Sequence, residues 1–297
     1  MSYMKKCIFT GSGVAIVTPF TNDGVDFDKL GELIEFQIKE KTDAIVICGT
    51  TGEASTMPDS EHISTIEYAV KKVNKRLPVI AGTGSNDTKH AIHLSKAAEE
   101  AGADAILSVT PYYNKTTQKG LYEHFKVIAN SLSIPVVLYN VPSRTNLNIN
   151  AETVKQLSEI ENIVAIKECN LNQVGDIINL CGSDFTVYSG EDGLVVPLMS
   201  LGGKGVISVM ANIIPGDTHE MAAKYLSGDV DGARKLQLKT INLIKGLFSE
   251  VSPVPVKAAM NLMGMNVGQC RMPLVEISDK NREFLISVMK EYGLIQI

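Results

Sequence analysis

The sequence predicts a (β/α)₈ barrel, an α/β fold, followed by a helical C-terminal region. Eight short apolar runs of strand character alternate with amphipathic segments, and this alternation indicates a parallel sheet. The ends of four consecutive runs keep a constant spacing of 28 residues, at Thr83, Pro111, Tyr139 and Lys167. Eight parallel strands favour a closed barrel over an open doubly wound sheet, which usually has fewer strands and a nucleotide-binding loop.

The individual strands and helices follow from the spacing of apolar residues. Cap residues such as Asp59, Asp87 and Asn150 begin several of the helices. The predicted strands are 14–17, 44–49, 78–82, 105–109, 135–140, 164–168, 185–189 and 205–210. The helices predicted between them include 28–40, 60–75, 88–101, 121–131 and 151–160.

The C-terminal part of the chain changes character. From Gly228 onward the pattern is helical only, at 230–248, 254–263 and 278–292. We therefore expect a barrel domain over 1–227 and a helical region over 228–297.

The composition argues against several classes of protein. The chain has 297 residues, a net charge of −5 and no block of Lys and Arg that could follow a phosphate backbone, so we expect no nucleic-acid partner. No run approaches the ~20 apolar residues that span a bilayer, so we expect no membrane segment. The five cysteines lack C-x-x-C spacing, and the N-terminal segment, broken by glycines, is unlike a signal peptide. Both observations favour a cytoplasmic protein with reduced thiols.

The segment 162–170 presents a lysine at the end of a strand. Side chains alternate along a strand, so Ala165, Lys167 and Cys169 share one face. In a desolvated pocket the pKa of the Lys167 amine would fall, and the neutral amine could form a Schiff base with a ketone. The alternative is a strand-end lysine whose stem lies along the sheet while its ammonium group reaches water.

The active site of a (β/α)₈ barrel lies at the carboxyl ends of its strands, and here those ends are rich in hydroxyl groups. Tyr139 lies one strand from Lys167, at the same height by the 28-residue spacing, so it could relay protons for Schiff-base chemistry. Thr50 or Thr51 could orient the tyrosine hydroxyl, and the guanidinium of Arg144 suits a carboxylate. Tyr139 and Arg144 also have purely structural interpretations. Tyr139 could be a half-buried aromatic residue at the rim of the barrel, and Arg144 could form an ion pair at the surface.

Two other kinds of site find little support. Neither glycine-rich segment, 82–87 or 202–206, completes a dinucleotide or phosphate-loop motif, which argues against nucleotide binding. A metal-dependent aldolase would need a cluster of His and carboxylate ligands, but no histidine falls at a strand end. The histidines are His62, His90, His93, His124 and His219. We therefore expect no metal site.

Five segments together carry a resemblance to a known family. They are Gly49-Thr-Thr-Gly-Glu53, Thr110-Pro-Tyr-Tyr-Asn114, Tyr139-Asn-Val-Pro-Ser-Arg-Thr145, Ile166-Lys-Glu168 and Gly205-Val-Ile-Ser-Val209. In this order they resemble the dihydrodipicolinate synthase (4-hydroxy-tetrahydrodipicolinate synthase) family, within the pyruvate-dependent Schiff-base aldolase and lyase superfamily. The resemblance covers nearly the whole chain. It implies a lyase of lysine biosynthesis through diaminopimelate, which condenses pyruvate with L-aspartate 4-semialdehyde.

The resemblance also implies catalytic roles. Lys167 would form the imine with pyruvate, and no separate cofactor would be needed. Tyr139 would be the proton shuttle, and Thr50 would link it by hydrogen bonds to Tyr113, which in this family reaches in from the neighbouring subunit. A residue supplied by a neighbour implies a dimer, and members of the family are commonly homotetramers built from dimers.

Four further residues would bind the substrates. By the same resemblance, Thr51 would hold the carboxylate of pyruvate. Arg144, at the mouth, would hold the carboxylate of L-aspartate 4-semialdehyde. The backbones of Gly190 and Ile207 would line the pocket.

Lysine-sensitive members of this family bind lysine as a feedback inhibitor at the dimer interface. Tyr112, His62 and Asn86 match their binding residues. Where sensitive members have a histidine and a glutamate, this chain has Asp59 and His90. A histidine cannot supply the negative charge that pairs with the inhibitor's ammonium group, so we expect weak or absent inhibition by lysine.

Two other kinds of function remain open from the residues alone. N-acetylneuraminate lyase and the 2-keto-3-deoxy-sugar-acid aldolases would share Lys167 and Tyr139, whereas Arg144 and Thr50 favour the synthase. A catalytically silent barrel could bind a keto acid as a sensor, but a binding protein has no need of a desolvated amine.

Overall fold

The computed structural model describes residue 5 and residues 7–296. Eight parallel strands close into a barrel in chain order, and a two-stranded antiparallel hairpin follows the first of them. The strands are β1 (Gly11–Ala15), β2 (Phe20–Thr21), β3 (Gly24–Val25), β4 (Ala44–Ile47), β5 (Val79–Gly82), β6 (Ala105–Val109), β7 (Val136–Asn140), β8 (Ile163–Glu168), β9 (Thr186–Ser189) and β10 (Gly205–Ser208). Because β1 pairs with both β4 and β10, the ring is complete. The predicted (β/α)₈ barrel is confirmed.

Helices follow the barrel strands and surround them. Asp26, Asp87 and Thr117 each accept a backbone N–H at a helix start, which satisfies one of the free donors there. The helices are α1 (Phe27–Lys39), α2 (Asp59–Val73), α3 (Thr88–Glu100), α4 (Gln118–Asn130), α5 (Pro142–Thr145), α6 (Ala151–Ser158), α7 (Val174–Cys181), α8 (Val195–Ser200), α9 (Pro215–Leu226), α10 (Val230–Leu247), α11 (Val254–Leu262) and α12 (Asp279–Tyr292). All eight helices named from the apolar spacing occur.

The start of the barrel differs from the prediction in two ways. β1 begins at Gly11 instead of residue 14. Residues 11–13 are Gly-Ser-Gly and form no apolar run, so the pattern misses them, and Gly13 is needed because a Cβ there would lie 2.8 Å from Cζ of Phe9. The β2–β3 hairpin is missing from the prediction because its strands, of two residues each, are too short to show a period.

Aromatic side chains fill part of the barrel interior. The rings of Phe9 and Tyr188 stack with centroids 4.3 Å apart. The Tyr188 hydroxyl donates a hydrogen bond to the Phe9 carbonyl oxygen at 2.7 Å. This stacked pair fills the interior near the segment that enters β1, and the open end of the barrel is the one at which the strands end.

The C-terminal helices pack on one another and on the barrel. α10 packs against α9 and α12, and α11 packs against α12. The division into a barrel over 1–227 and a helical region over 228–297 stays a prediction, and α10 begins just beyond the proposed boundary. Within the part of the chain that the structure describes, no helix has the length and apolarity needed to cross a bilayer.

Candidate active site

Lys167 and Tyr139 lie side by side on neighbouring strands. β7 and β8 pair so that Tyr139 is opposite Lys167, as the constant spacing of strand ends predicts. The lysine Nζ lies 4.4 Å from the centroid of the tyrosine ring. Both side chains are buried, with 5% and 7% of their surface exposed. The amine is therefore held against an aromatic ring inside the barrel.

The surroundings shift the pKa of both groups. Burial lowers the pKa of the Lys167 amine, and the nearby carboxyl groups of Glu191 and Asp192 oppose that shift in part. Burial raises the pKa of Tyr139, while its contact with the Thr50 side chain acts in the opposite sense. The site thus pairs an amine that is more easily neutral than usual with a hydroxyl that keeps its proton, which suits imine formation.

A strained turn over residues 49–53 presents the two threonines. Cys48, which precedes the turn, and Glu53, which ends it, have φ angles of 54° and 56°, in the left-handed region that few non-glycine residues adopt. The Glu53 N–H donates to the Thr50 carbonyl oxygen at 3.1 Å, which tightens the turn. Thr51 is buried and Thr50 is exposed. Both threonines line the same cavity as Lys167.

This cavity has a volume of about 630 Å³ and opens where the strands end. Six of the predicted site residues line it: Thr50, Thr51, Tyr139, Arg144, Lys167 and Gly190. A Cβ on Gly190 would lie 2.3 Å from the Cys169 Sγ and 3.2 Å from the Lys167 Cε, so the glycine leaves room for the lysine stem. Ile207 is wholly buried in β10 and does not line the cavity. Its predicted role through the backbone stays a prediction.

The C-terminal helical region also contributes to the cavity, which the sequence did not predict. Phe248, Glu250, Val251 and Ser252 line its mouth. The Arg144 guanidinium donates a hydrogen bond to the Ser252 carbonyl oxygen at 3.1 Å, which orients the arginine. No pattern signals this contact, because it joins residues that lie 108 positions apart.

Tyr113 lies away from the cavity within this chain. Its side chain is 92% exposed, and its φ of 69° is in the left-handed region. It does not line the cavity around Lys167. Its predicted role, as a residue that acts in the site of a neighbouring subunit, stays a prediction.

A second cavity, of about 360 Å³, adjoins the first, and Tyr139 and Arg144 line both. Asp59, His62, His90 and Tyr112 line it, and each was singled out above in connection with lysine binding. The His90 Nε2 lies 2.9 Å from an Asp59 carboxylate oxygen, so the two side chains are hydrogen-bonded to each other. Across the described ranges, 5 and 7–296, no group of three or more His, Cys, Asp or Glu side chains is placed to hold a metal ion.

A buried carboxylate next to Lys167 was missed by the sequence analysis. Glu168 is 1% exposed, and burial raises its pKa to about 7. The amide of Asn140 donates to both carboxylate oxygens, at 2.8 and 3.1 Å, and Gln173 donates at 2.9 Å. These bonds join the ends of β7 and β8 on the face opposite Lys167. The sequence does contain a sign of this pairing. Asn140 directly follows Tyr139 and lies 28 residues before Glu168, so the constant spacing of strand ends places the two residues opposite each other.

Comparison with known proteins agrees with this geometry. A model of the dihydrodipicolinate synthetase family matches residues 8–292. The chain belongs to this family. The resemblance predicted from the five segments is therefore confirmed.

Other members of the dihydrodipicolinate synthetase family are similar over their whole lengths. The 4-hydroxy-tetrahydrodipicolinate synthase of Acetivibrio thermocellus is 73% identical over 292 residues, which cover 98% of this chain and 100% of that protein. Two solved structures have a TM-score of 0.94. One, from Acinetobacter baumannii, is a chloride-inhibited dihydrodipicolinate synthase complexed with pyruvate; it is 45% identical and covers 96% of this chain and 99% of its own. The other, from Cyanidioschyzon merolae, has lysine bound; it is 38% identical and covers 98% and 100%.

Proposed function

We propose that this protein is a 4-hydroxy-tetrahydrodipicolinate synthase, a class I (Schiff-base) lyase of the diaminopimelate route to lysine. It condenses pyruvate with L-aspartate 4-semialdehyde. The observation that carries the proposal is the Lys167 amine, which is buried against the Tyr139 ring and has a lowered pKa. The family membership and the 73% identical relative support the same reaction.

The reaction begins with Lys167. Its neutral amine attacks the ketone carbon of pyruvate, and the resulting carbinolamine loses water when a proton reaches its hydroxyl. Tyr139, whose raised pKa keeps its hydroxyl protonated, gives that proton and recovers one when the methyl carbon is deprotonated. The enamine then attacks the aldehyde carbon of the second substrate. Attack by the amino group of that substrate on the imine carbon closes the ring and releases the lysine amine.

The remaining residues bind and orient the substrates. We assign the carboxylate of pyruvate to Thr51, which is buried in the turn beside Lys167. Arg144, held by Ser252 at the mouth, receives the carboxylate of the semialdehyde. The backbones of Gly190 and Ile207 complete the pocket wall. The imine with Lys167 replaces any separate cofactor, and we place the enzyme in the cytoplasm.

The experiment that tests this function is pyruvate consumption by the purified protein, with and without L-aspartate 4-semialdehyde. We expect loss of pyruvate only when the semialdehyde is present, and the same rate in the presence of a chelator. If no pyruvate is lost, borohydride reduction with pyruvate separates the alternatives. A stable adduct on Lys167 would indicate a related aldolase with another acceptor. The absence of an adduct would contradict the Schiff-base mechanism and leave a keto-acid-binding barrel.

We further propose that Tyr113 acts in the site of a neighbouring subunit, in a homotetramer built from dimers. Its 92% exposure within the single chain supports this assignment. Lys167→Ala and Tyr113→Phe chains should each be nearly inactive. After mixed refolding, about a quarter of wild-type activity should return, because half of the randomly formed dimers contain one intact site. Activity that does not return on mixing would show that Tyr113 does not act across the interface.

We also propose that lysine inhibits this enzyme weakly. The position that sensitive relatives fill with glutamate is His90, which pairs with Asp59 in the second cavity. Half-maximal inhibition should need more than about 1 mM lysine, which corresponds to a binding free energy no better than about −4 kcal/mol. The double variant Asp59→His, His90→Glu should be inhibited at lower concentrations. Strong inhibition of the unmodified enzyme would refute the proposal.

A further inference from the structure

Two lysines in the described ranges are almost fully buried, and they differ in their partners. Lys167 is the amine of the cavity. Lys257, on α11, is 2% exposed and forms an ion pair with Glu53 at 2.9 Å. Its other two donors reach the carbonyl oxygens of Thr18 at 3.0 Å and Gln269 at 2.8 Å. All three N–H groups of this ammonium are therefore used.

Glu53 is the last residue of the turn that presents the two threonines. Its carboxylate is buried, with one oxygen bonded to Lys257 and the other to the backbone N–H of Arg271 at 2.8 Å. Its φ of 56° is unusual for a residue with a side chain, so the surrounding structure must hold it there. Both groups that hold it belong to the C-terminal helical region, more than 200 positions away in the sequence.

The Lys257 ammonium is also connected to the turn through Thr18. The Thr18 carbonyl oxygen accepts from Lys257, and the Thr18 hydroxyl donates to the Gly52 carbonyl oxygen at 2.8 Å. The turn is thus fixed at Glu53 through its side chain and at Gly52 through its backbone. Neither Lys257 nor Glu53 lines the cavity around Lys167, so neither is placed to contact pyruvate there.

We propose that Lys257 and Glu53 are positioning residues that set the Thr50–Thr51 turn against Lys167 and thereby determine how tightly pyruvate is held. The inference rests on the proposed function, because it takes Thr51 as the group that binds the pyruvate carboxylate. Stability alone is a poor explanation for the pair. Buried ion pairs are often no more stabilising than apolar residues of the same size. What the hydrogen bonds to Glu53 do hold is the backbone of a strained turn in the active site.

The test is the pyruvate dependence of borohydride trapping in the absence of the semialdehyde. Lys257→Met keeps an unbranched apolar stem of similar volume but leaves Glu53 without its charged partner. We expect the half-saturating pyruvate concentration to rise about ten- to hundredfold, since displacement of a binding group by an ångström has effects of this size. The matched control is Leu285→Ala, which removes a buried side chain that packs on Gly246 of α10. It should lower Tm and leave the half-saturating concentration unchanged.

Glu53→Gln preserves the shape of the side chain, removes its charge, and serves if Lys257→Met does not fold. A rise in half-saturating pyruvate in either folded variant, with no rise in Leu285→Ala, supports the proposal. Unchanged half-saturation in the folded variants overturns it. An equal rise in the control also overturns it, because the effect would then follow stability. If the wild-type protein forms no adduct with pyruvate, the proposed function itself has failed.

Discussion

Replacing Lys167 by alanine is expected to lower kcat/KM by at least about 10³-fold, a loss of about 4 kcal/mol of transition-state stabilisation. The substitution removes the atom that would form the imine in the proposed mechanism, and in the described structure no second amine lies against Tyr139. Borohydride trapping with pyruvate, followed by mass measurement, should show an adduct in the wild type and none in Lys167→Ala.

Lys239→Ala is a suitable control for this experiment. Lys239 lies on α10, where it pairs with Asp217 and is about half exposed. Its removal should leave both turnover and trapping unchanged. If Lys167→Ala kept turnover within about tenfold of the wild type, the imine mechanism would be wrong, since loss of a covalent nucleophile cannot be so mild.

Tyr139→Phe should slow imine formation by about 10²- to 10⁴-fold, the usual contribution of a positioned proton-transfer group. The ring that covers the Lys167 amine is preserved, so pyruvate binding should be retained. The measurement is the rate of trapping at saturating pyruvate, together with the pyruvate concentration needed for half-saturation. The rate should fall while the concentration changes little.

Tyr188→Phe provides a matched control within the same barrel. Tyr188 is also buried, and it lies opposite Lys167 on the other neighbouring strand. Its hydroxyl, however, donates to the Phe9 backbone and not into the cavity. The substitution should lower the free energy of unfolding by about 1–3 kcal/mol, the cost of an unpaired buried group, with near-normal trapping rates. Normal rates in Tyr139→Phe would remove Tyr139 from the proton transfers.

The parts of the site predicted from the sequence are those that depend on local pattern. The regular spacing of strand ends places Tyr139 beside Lys167, and the register of β7 and β8 agrees. The turn lies in one of the short segments that carry the resemblance, and Gly190 is implied by the resemblance itself. The pairing of Tyr139 with Lys167 is predictable because the strand–helix units of a parallel barrel repeat at a regular spacing. Residues one repeat apart therefore lie next to each other on neighbouring strands.

The unpredicted parts depend on contacts between distant segments. Nothing in the pattern of α11 distinguishes the buried Lys257 from a solvated helix lysine, because its partner Glu53 is 204 positions away. The same holds for Ser252, which orients Arg144. The apolar pattern of β8 also could not establish whether Lys167 is buried. Its burial depends on the closed barrel formed by all eight strands, and not on its own strand alone.

The stacked rings of Phe9 and Tyr188 bear on the order of events during turnover. They occupy the interior toward the start of β1, so reactants approach Lys167 from the mouth, past Arg144 and Ser252. In the proposed mechanism, pyruvate, the water released as the imine forms and the semialdehyde would all pass this mouth. The substrate that bonds to the lysine would lie deepest and so would enter first. The water would leave before the second substrate occupies the mouth, so the shape of the site would set the order of these events.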